Sequence, residues 1–314
     1  MDLVPIIDIR SPDSASLNAL DAACSDHGFF LLEGHGLDDL IERTWQQTRR
    51  FFTGPDHVKE SVRRTRDEPL GYFDRELTKR RRDCKEVFDF AVPGGRNGRD
   101  RNRWPSGIDG FRETQSEFFA AFSALAADTL GLVQRALGAS DSVIAAGGGS
   151  ATVSTVRLNH YPVADPLAEA ERKELPELGD VALGHHTDPG ILTLLLQDDT
   201  GGLQTLSRDD GWIDVPPRPG TIVVNLADSL QVQTNDRYRA AVHRVVPMTD
   251  RDRYSIPYFY NPPIDAVIEP IGELCDGPPH YRAFSWREFI QARIDDNFED
   301  LGADDTQASH YRIG

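Results

Sequence analysis

His186-Thr187-Asp188 and, 55 residues further on, His243 bring two imidazoles and one carboxylate within reach of a single metal ion. Side chains two residues apart on a strand share a face. His186 and Asp188 can therefore grip one ion together, and His243 can arrive from another strand. The set suits Fe(II), because it leaves three coordination positions open for substrate and O2. A structural zinc site closes four protein ligands around its ion instead. A lone His-x-Asp is an ordinary feature of polar strand ends, so its surroundings carry the reading.

Ten residues after His243 comes Arg253-Tyr254-Ser255. Arg253 and Ser255 again share a strand face, and a guanidinium with a hydroxyl makes a fork for a carboxylate. Asn159 and Tyr161 share a face on an earlier strand and can complete such a pocket. A lone arginine would be read as a surface ion pair. Beside the His/Asp/His set it offers a coherent alternative: a dicarboxylic acid that chelates iron at one end and is held by Arg253 at the other. The remaining histidines read as structural. His185 should point away from His186, His160 away from Asn159 and Tyr161, and His35 sits in a turn between Gly34 and Gly36.

The elements that must position these groups change character along the chain. A strand is expected at Val4–Ile9, a helix over Asp13–Asp26 capped by Ser14 or Ser16, and a buried strand at Gly28–Glu33. A helix capped by Asp38 should run to about Phe52, and another should start at Pro55. Residues 67–110 read as long connections with one short strand near Val87–Phe90. Phe111–Leu137 has helical apolar spacing. From Thr152 onward short strands follow one another: 153–161, 182–187, 192–197, 203–206, 221–225, 241–246 and 254–259. Ser285–Ile294 reads as a last helix. Many short punctuated strands imply an antiparallel sandwich or jelly roll. The fold expected is mainly β with flanking helices. Residues 1–150 form an N-terminal mixed α/β region packed on a core of residues 151–314, in one compact unit.

Composition narrows the function. The chain has 314 residues and a net charge of −17, which disfavours a general polyanion binder, so no nucleic acid is expected. No run of 18 apolar residues and no signal peptide is apparent, and no membrane partner is expected. Three widely spaced cysteines without a Cys-x-x-Cys fit a reducing cytoplasm. No P-loop and no Gly-x-Ser-x-Gly elbow occurs. Against the acidic whole, residues 49–112 hold 17 basic and 11 acidic residues, a local +6, densest at Lys79-Arg80-Arg81-Arg82.

Taken together, the motifs resemble the Fe(II)/2-oxoglutarate-dependent oxygenases of the isopenicillin N synthase-like group. The likeness runs through Val4-Pro5-Ile6-Ile7-Asp8, Gly28-Phe29-Phe30, Gly34-His35-Gly36 and Lys85-Glu86-Val87-Phe88-Asp89-Phe90. It continues through Gly184 to Asp188, Gly190 to Leu195, Gly201-Gly202-Leu203-Gln204, Asn225-Leu226-Ala227-Asp228, Asn235 and His243-Arg244-Val245. Ala227 stands where the family often has glycine. The resemblance implies a double-stranded β-helix core, His186, Asp188 and His243 as iron ligands, and Fe(II), 2-oxoglutarate and O2 as cofactor and cosubstrates. It implies Arg253 and Ser255 on the distal carboxylate of 2-oxoglutarate, Tyr161 beside them and Asn159 near the chelating end. The expected reaction oxidises a small molecule, most simply by hydroxylation, with release of succinate and CO2. The alternatives are an iron oxidase or oxidative cyclase that needs no 2-oxoglutarate, and a silent binding protein of the same fold. Tyr72, Phe73, Phe88, Phe284 and Phe289 are candidate pocket walls, each competing with a core role. Lys79–Arg82 is a candidate rim that steers an anionic substrate.

Overall fold

Residues 192–197 read Leu-Thr-Leu-Leu-Leu-Gln, and their alternation sets the architecture. Leu192, Leu194 and Leu196 enter a core beneath helices, Leu195 enters a second core, and Thr193 faces a cavity. A strand covered on both faces belongs in the middle of a layered fold. The computed structural model describes residues 4–78, 81–95, 100–146, 148–173, 175–298 and 306–313.

The first half of the chain supplies β1 (Ile6–Asp8), β2 (Phe29–Glu33), β3 (Gly71–Phe73), a small ribbon of β4 (Leu77–Thr78) and β5 (Arg81–Arg82), and β6 (Glu86–Ala91). The second half supplies β7 (Thr155–Tyr161), β8 (Leu183–His186), β9 (Leu192–Gln197), β10 (Leu203–Ser207), β11 (Gly211–Asp214), β12 (Ile222–Leu226), β13 (His243–Val245) and β14 (Arg253–Tyr260). A ribbon of β15 (Val267–Ile268) and β16 (Phe284–Ser285) follows. The large sheet runs β1-β2-β12-β9-β14-β7-β6-β3, so strands from both halves of the chain share its ladder. The smaller sheet runs β11-β10-β13-β8. Between them lies the core of Phe29, Leu31, Tyr161, Leu195, Leu203, Val223 and Val245, and this is the expected jelly roll.

Helices cover the outer face of the large sheet. α1 (Ser14–Asp26), α2 (Asp38–Phe52) and the long α4 (Phe111–Ala136) pack there, and α3 (Asp56–Glu60) and α5 (Asp141–Ala146) are short. Asp13, not Ser14 or Ser16, caps α1, accepting from Ser16 N at 2.7 Å. Asp38 and Asp39 occupy the first turn of α2 and Arg49 and Arg50 its last, each matching the helix dipole. α4 is long and apolar enough to cross a membrane by length and composition. Its Phe118, Phe122, Leu125 and Leu132 are nevertheless buried in the core shared with β9 and β14. α6 (Glu169–Arg172), α7 (Asp228–Gln233) and α8 (Trp286–Phe298) complete the chain.

Residues 67–110 differ from expectation. Where one strand was predicted, β3 to β6 form, and charge holds them. Arg63 pairs with Asp74, Arg64 with Glu76 and Asp89, and Lys85 with Glu76 and Asp83, all within 3.1 Å. β3, β4 and β5 are only two or three residues long, too short to show an alternation, and most of the charges that hold them lie in the connections. On the helix side of the same strands, Glu86 accepts from Tyr72 Oη at 2.5 Å and Lys59 Nζ at 2.9 Å, and lies 2.7 Å from His160 Nδ1.

Burial alone would raise the Glu86 carboxyl. Its bonds to His160, Tyr72 and Lys59 outweigh burial and hold it at about 2. With an unfolded value of about 4.3, this group adds stability that is complete above that pH and lost as pH falls toward 2. The amount is on the order of 3 kcal/mol. Glu86→Gln should therefore lower the melting temperature at pH 7 and flatten the acid limb between about pH 4.5 and 2. Thermal melts across that range test this, and an acid limb identical to wild type would sink it.

Candidate active site

β8 and β13 pair antiparallel with His186 directly opposite His243, and the two rings lie 4.3 Å apart. Each Nδ1 sits against a backbone carbonyl, His186 with Gly184 O at 2.8 Å and His243 with Ala241 O at 2.9 Å. A carbonyl only accepts, so Nδ1 carries the proton and Nε2 keeps its lone pair for a metal. Asp188 lies just beyond the end of β8, so strand alternation alone does not aim it. Thr193 Oγ1 and Asn225 Nδ2 donate to its Oδ2 at 2.5 and 2.9 Å, and Asp228 N donates to its backbone carbonyl at 2.8 Å. Oδ1 is left facing His186 Nε2 at 3.8 Å. One ligand atom from each of the three residues lies within 4.8 Å of the others.

The electrostatics suit a metal. Burial, then the neighbouring His243, pushes the His186 imidazole down, so it is neutral at physiological pH. Burial opposes ionisation of Asp188, but His243, His186 and the Thr193 and Asn225 donors hold its carboxyl below the ordinary value. A neutral imidazole and an ionised carboxylate are the states in which these groups bind metals.

The three residues line a cavity of about 700 Å3. Arg253 lies 1% exposed in its wall, with Nε donating to Gly201 O at 2.8 Å and Tyr161 5.0 Å from its guanidinium. Its Nη1 and Nη2 are buried and, among the described residues, have no hydrogen-bond partner. Burial pulls its pKa below the ordinary arginine value. Leaving charged donors unpaired in a desolvated wall costs several kcal/mol, roughly, unless an anion meets them. The β7–β14 register sets Arg253 opposite Tyr161 and Ser255 opposite Asn159, and Asn159 Nδ2 donates to Ser255 Oγ at 3.2 Å. Leu195, Leu203 and Val245 supply apolar lining nearby. The cavity thus holds a metal-ligand set and a separate unpaired guanidinium, which together fit a dicarboxylate that chelates through one end.

Comparison with known proteins agrees. The profile of the 2OG-Fe(II) oxygenase superfamily matches residues 152–262, and that of the N-terminal region of non-haem dioxygenases in morphine synthesis matches residues 4–107. Protein DMR6-LIKE OXYGENASE 2 of Arabidopsis thaliana is 33% identical over 323 residues, covering 95% of this chain and 85% of the relative. The chain belongs to the 2OG-Fe(II) oxygenase superfamily. A full-length Neurospora crassa protein, crystallised with alpha-KG, superposes with a TM-score of 0.78 at 27% identity, covering 93% of this chain and 96% of that one. JOX2, crystallised with 2OG, Fe and JA, gives 0.79 at 29% identity, covering 92% and 84%. The protein is a 2-oxoglutarate-dependent dioxygenase of the isopenicillin N synthase-like family that uses Fe(II) and O2 and oxidises a small molecule, releasing succinate and CO2.

The oxygenase departs from the sequence reading around its substrate. Tyr72, Phe73, Phe88, Phe284 and Phe289 are all core residues and none lines the cavity. Glu76, Thr78, Lys85 and Arg157 form one wall instead, with Arg293, Gln307 and His310 from the C-terminal part of the chain. His185, expected to point away, is exposed beside Trp212 yet also borders the cavity. Of the basic run, Arg82 is turned inward and Arg81 is exposed. Arg82 is 2% exposed and forms a two-pronged ion pair with Asp165. Arg81 donates to Leu178 O at 3.0 Å, and Lys79 and Arg80 lie outside the described residues. Sequence reasoning also missed the Thr193 and Asn225 supports. Their signal was a polar residue at an inward position of an otherwise apolar strand.

Thr193→Val with Asn225→Ala leaves Asp188 Oδ2 without either donor. Partners of metal ligands are typically worth about 10–100-fold in metal affinity. An anaerobic Fe(II) titration should show a loss of that order with the fold intact by circular dichroism. Unchanged affinity would mean that Asp188 is aimed by the backbone alone.

Proposed function

We propose that His186, Asp188 and His243 hold Fe(II), and that Arg253 and Ser255 bind the distal carboxylate of 2-oxoglutarate. Tyr161 lies beside that carboxylate and Asn159 near the chelating end. The reaction is hydroxylation of an unactivated C–H bond in a small-molecule substrate. One observation carries the reading: a fully buried guanidinium with both terminal nitrogens unpaired, in the wall of the same cavity as the His/Asp/His set.

When bound, iron with 2-oxoglutarate supplies an oxidant strong enough to take hydrogen from such a bond. The chain's residues supply the rest. Gly184 O and Ala241 O fix the two imidazole tautomers, and Thr193 and Asn225 hold the carboxylate. Arg253, braced by Gly201 O and the Tyr161 ring, offers two charge-assisted bonds in a setting that excludes water. Leu195, Leu203 and Val245 keep the cosubstrate end dry. The cyclase alternative is not favoured, because the similar proteins are 2-oxoglutarate oxygenases. The acidic surface opposes nucleic acid as a partner, and α4 commits its apolar face to the core, so neither nucleic acid nor membrane enters this reading. The three free thiols, Cys24, Cys84 and Cys275, accord with a reducing cytoplasm.

Purified protein given Fe(II), 2-oxoglutarate and air should form succinate, and omitting either addition should stop it. Under argon, 2-oxoglutarate should bring up a weak metal-to-ligand charge-transfer band. His186→Ala or Asp188→Ala should abolish iron binding. Arg253→Leu leaves a buried carboxylate without its cation, a loss of about 2–5 kcal/mol. It should raise the 2-oxoglutarate requirement by tens- to thousands-fold. Normal 2-oxoglutarate dependence in Arg253→Leu would place the cosubstrate elsewhere.

A further inference from the structure

The β6–β7 ladder pairs Glu86 with His160, so Lys85 falls beside Tyr161 on the inward face of the sheet. Lys85 is 4% exposed and lines the cavity together with Tyr161 and His186. Its ammonium carries three donors. Glu76 Oε2 at 3.0 Å and Asp83 Oδ2 at 3.1 Å take two of them. Among the described residues the third has no partner. Burial lowers the Lys85 pKa, but Asp83 and Glu76 more than compensate and keep the ammonium charged.

The charges around it balance. Arg157 donates to Glu76 and Asp89 at 2.7–2.9 Å, and Arg64 donates to the same two carboxylates. Arg64, Lys85 and Arg157 thus face Glu76, Asp83 and Asp89, three against three. Thr78 Oγ1 closes the group onto Asp83 Oδ2 at 2.9 Å. A substrate carboxylate pushed against this wall would bring a buried charge with no net opposite charge to meet it. A neutral oxygen acceptor would gain the spare N–H at no such cost. Arg293, from the C-terminal part of the chain, donates to Thr187 O at 2.7 Å and Thr306 O at 3.0 Å, and its charge faces the buried Asp228 carboxyl, whose ionisation it favours.

We propose that Lys85 anchors the primary substrate by donating its third N–H to an uncharged oxygen acceptor, a ketone, lactone or amide carbonyl, so that the substrate class is a neutral carbonyl-bearing small molecule. The inference rests on the oxygenase reading above, which gives the Arg253 guanidinium to 2-oxoglutarate, while Lys85 reaches the same cavity from the β6 side of Tyr161.

The test uses three probes on one carbon frame: 1-tetralone (neutral carbonyl), tetralin-1-carboxylate (anion) and tetralin (no acceptor). Each is titrated into the enzyme loaded under argon with Fe(II) and 2-oxoglutarate, and binding is read from the perturbed charge-transfer band and from ligand-observed NMR. 1-Tetralone should bind about ten-fold or more tighter than either companion, the worth of one hydrogen bond to a charged donor. Lys85→Met should erase that preference. Because that change strands Asp83, while Arg64 and Arg157 still hold Glu76, the double variant Lys85→Met/Asp83→Asn removes one charge of each sign and should lose the preference while remaining folded. Lys85→Arg should restore part of it. The inference is overturned if the carboxylate binds better than the ketone, if 1-tetralone binding is undetectable or equal to that of tetralin, or if the preference survives in the double variant. If 2-oxoglutarate itself produces no band in the wild type, the failure belongs to the cosubstrate assignment, and the NMR titration without it still reads the Lys85 preference.

Discussion

A one-residue slip of β14 against β7 would turn Arg253 and Ser255 into the helical layer, away from Asn159 and Tyr161, and put Tyr254, Ile256 and Tyr258 into the cavity. That register is the constraint on which the rest of the structure depends. It is fixed from both faces. On one side Val156, Leu158, Ile256 and Tyr258 are committed to the core under α4, where Tyr258 Oη meets Ser123 Oγ at 2.7 Å. On the other, the inward positions carry groups with defined partners, such as Asn159 to Ser255 and Arg253 to Gly201 O. Neither set can exchange faces without burying unpaired polar atoms in the apolar layer. The same alternation runs through β9 and β12, where Thr193 and Asn225 are the inward polar positions. The apolar layer therefore stabilises the fold and orders the polar groups of the cavity at once.

This is why the chemistry was legible in the sequence. His186 and His243, and then Arg253, Ser255, Asn159 and Tyr161, occupy strands whose alternation is clear, and period-2 reasoning puts them on the cavity side, whereas Asp188, past the end of β8, is aimed by Thr193 and Asn225. It was less informative where alternation fails. β3 to β6 are held by ion pairs between residues such as Arg64 and Asp89, 25 apart in sequence. Charged segments of that kind read as loops until their partners are known. The aromatic residues proposed as pocket walls failed for the opposite reason. Tyr72 and Phe88 sit on strands, but at helix-side positions, where their size fills the core. Of the local excess of basic residues, Lys59, Arg64, Arg82 and Lys85 are buried in ion pairs, a use that a count of charges does not reveal.

The C-terminal wall of the cavity depends on a feature that strand periodicity cannot reveal. Asn235 and Asp236 follow α7 with φ of 51° and 69°, the left-handed region in which asparagine and aspartate are the least strained residues after glycine. That corner turns both side chains to later parts of the chain. Asn235 bonds Pro278 O and His280 N, and Asp236 accepts from Tyr281 Oη at 2.6 Å and Arg312 Nη2 at 2.8 Å. Tyr311 stacks on Phe284 at 4.1 Å, so the segment that brings Gln307 and His310 to the cavity is tied at its far end. A motif asparagine far from the metal ligands thus helps to position a substrate wall.

The two ends of the cavity solve different electrostatic problems. At Arg253, proposed to meet the cosubstrate, a single guanidinium is buried with both terminal nitrogens unpaired among the described residues, which is costly in the empty protein and offset by an anion of matching shape. That arrangement suits a ligand whose charge never varies. Around Lys85, five buried charges and the partly exposed Arg157 cancel and their hydrogen bonds are largely satisfied internally, so the wall is stable without a ligand. A substitution there can alter shape or one donor without disturbing the cosubstrate site, provided that the charge balance is kept. Breaking the balance is another matter, because removing one member leaves a buried partner uncompensated, at a cost of several kcal/mol, roughly. Substrate preference in this fold is therefore constrained by charge parity in the wall as much as by its shape.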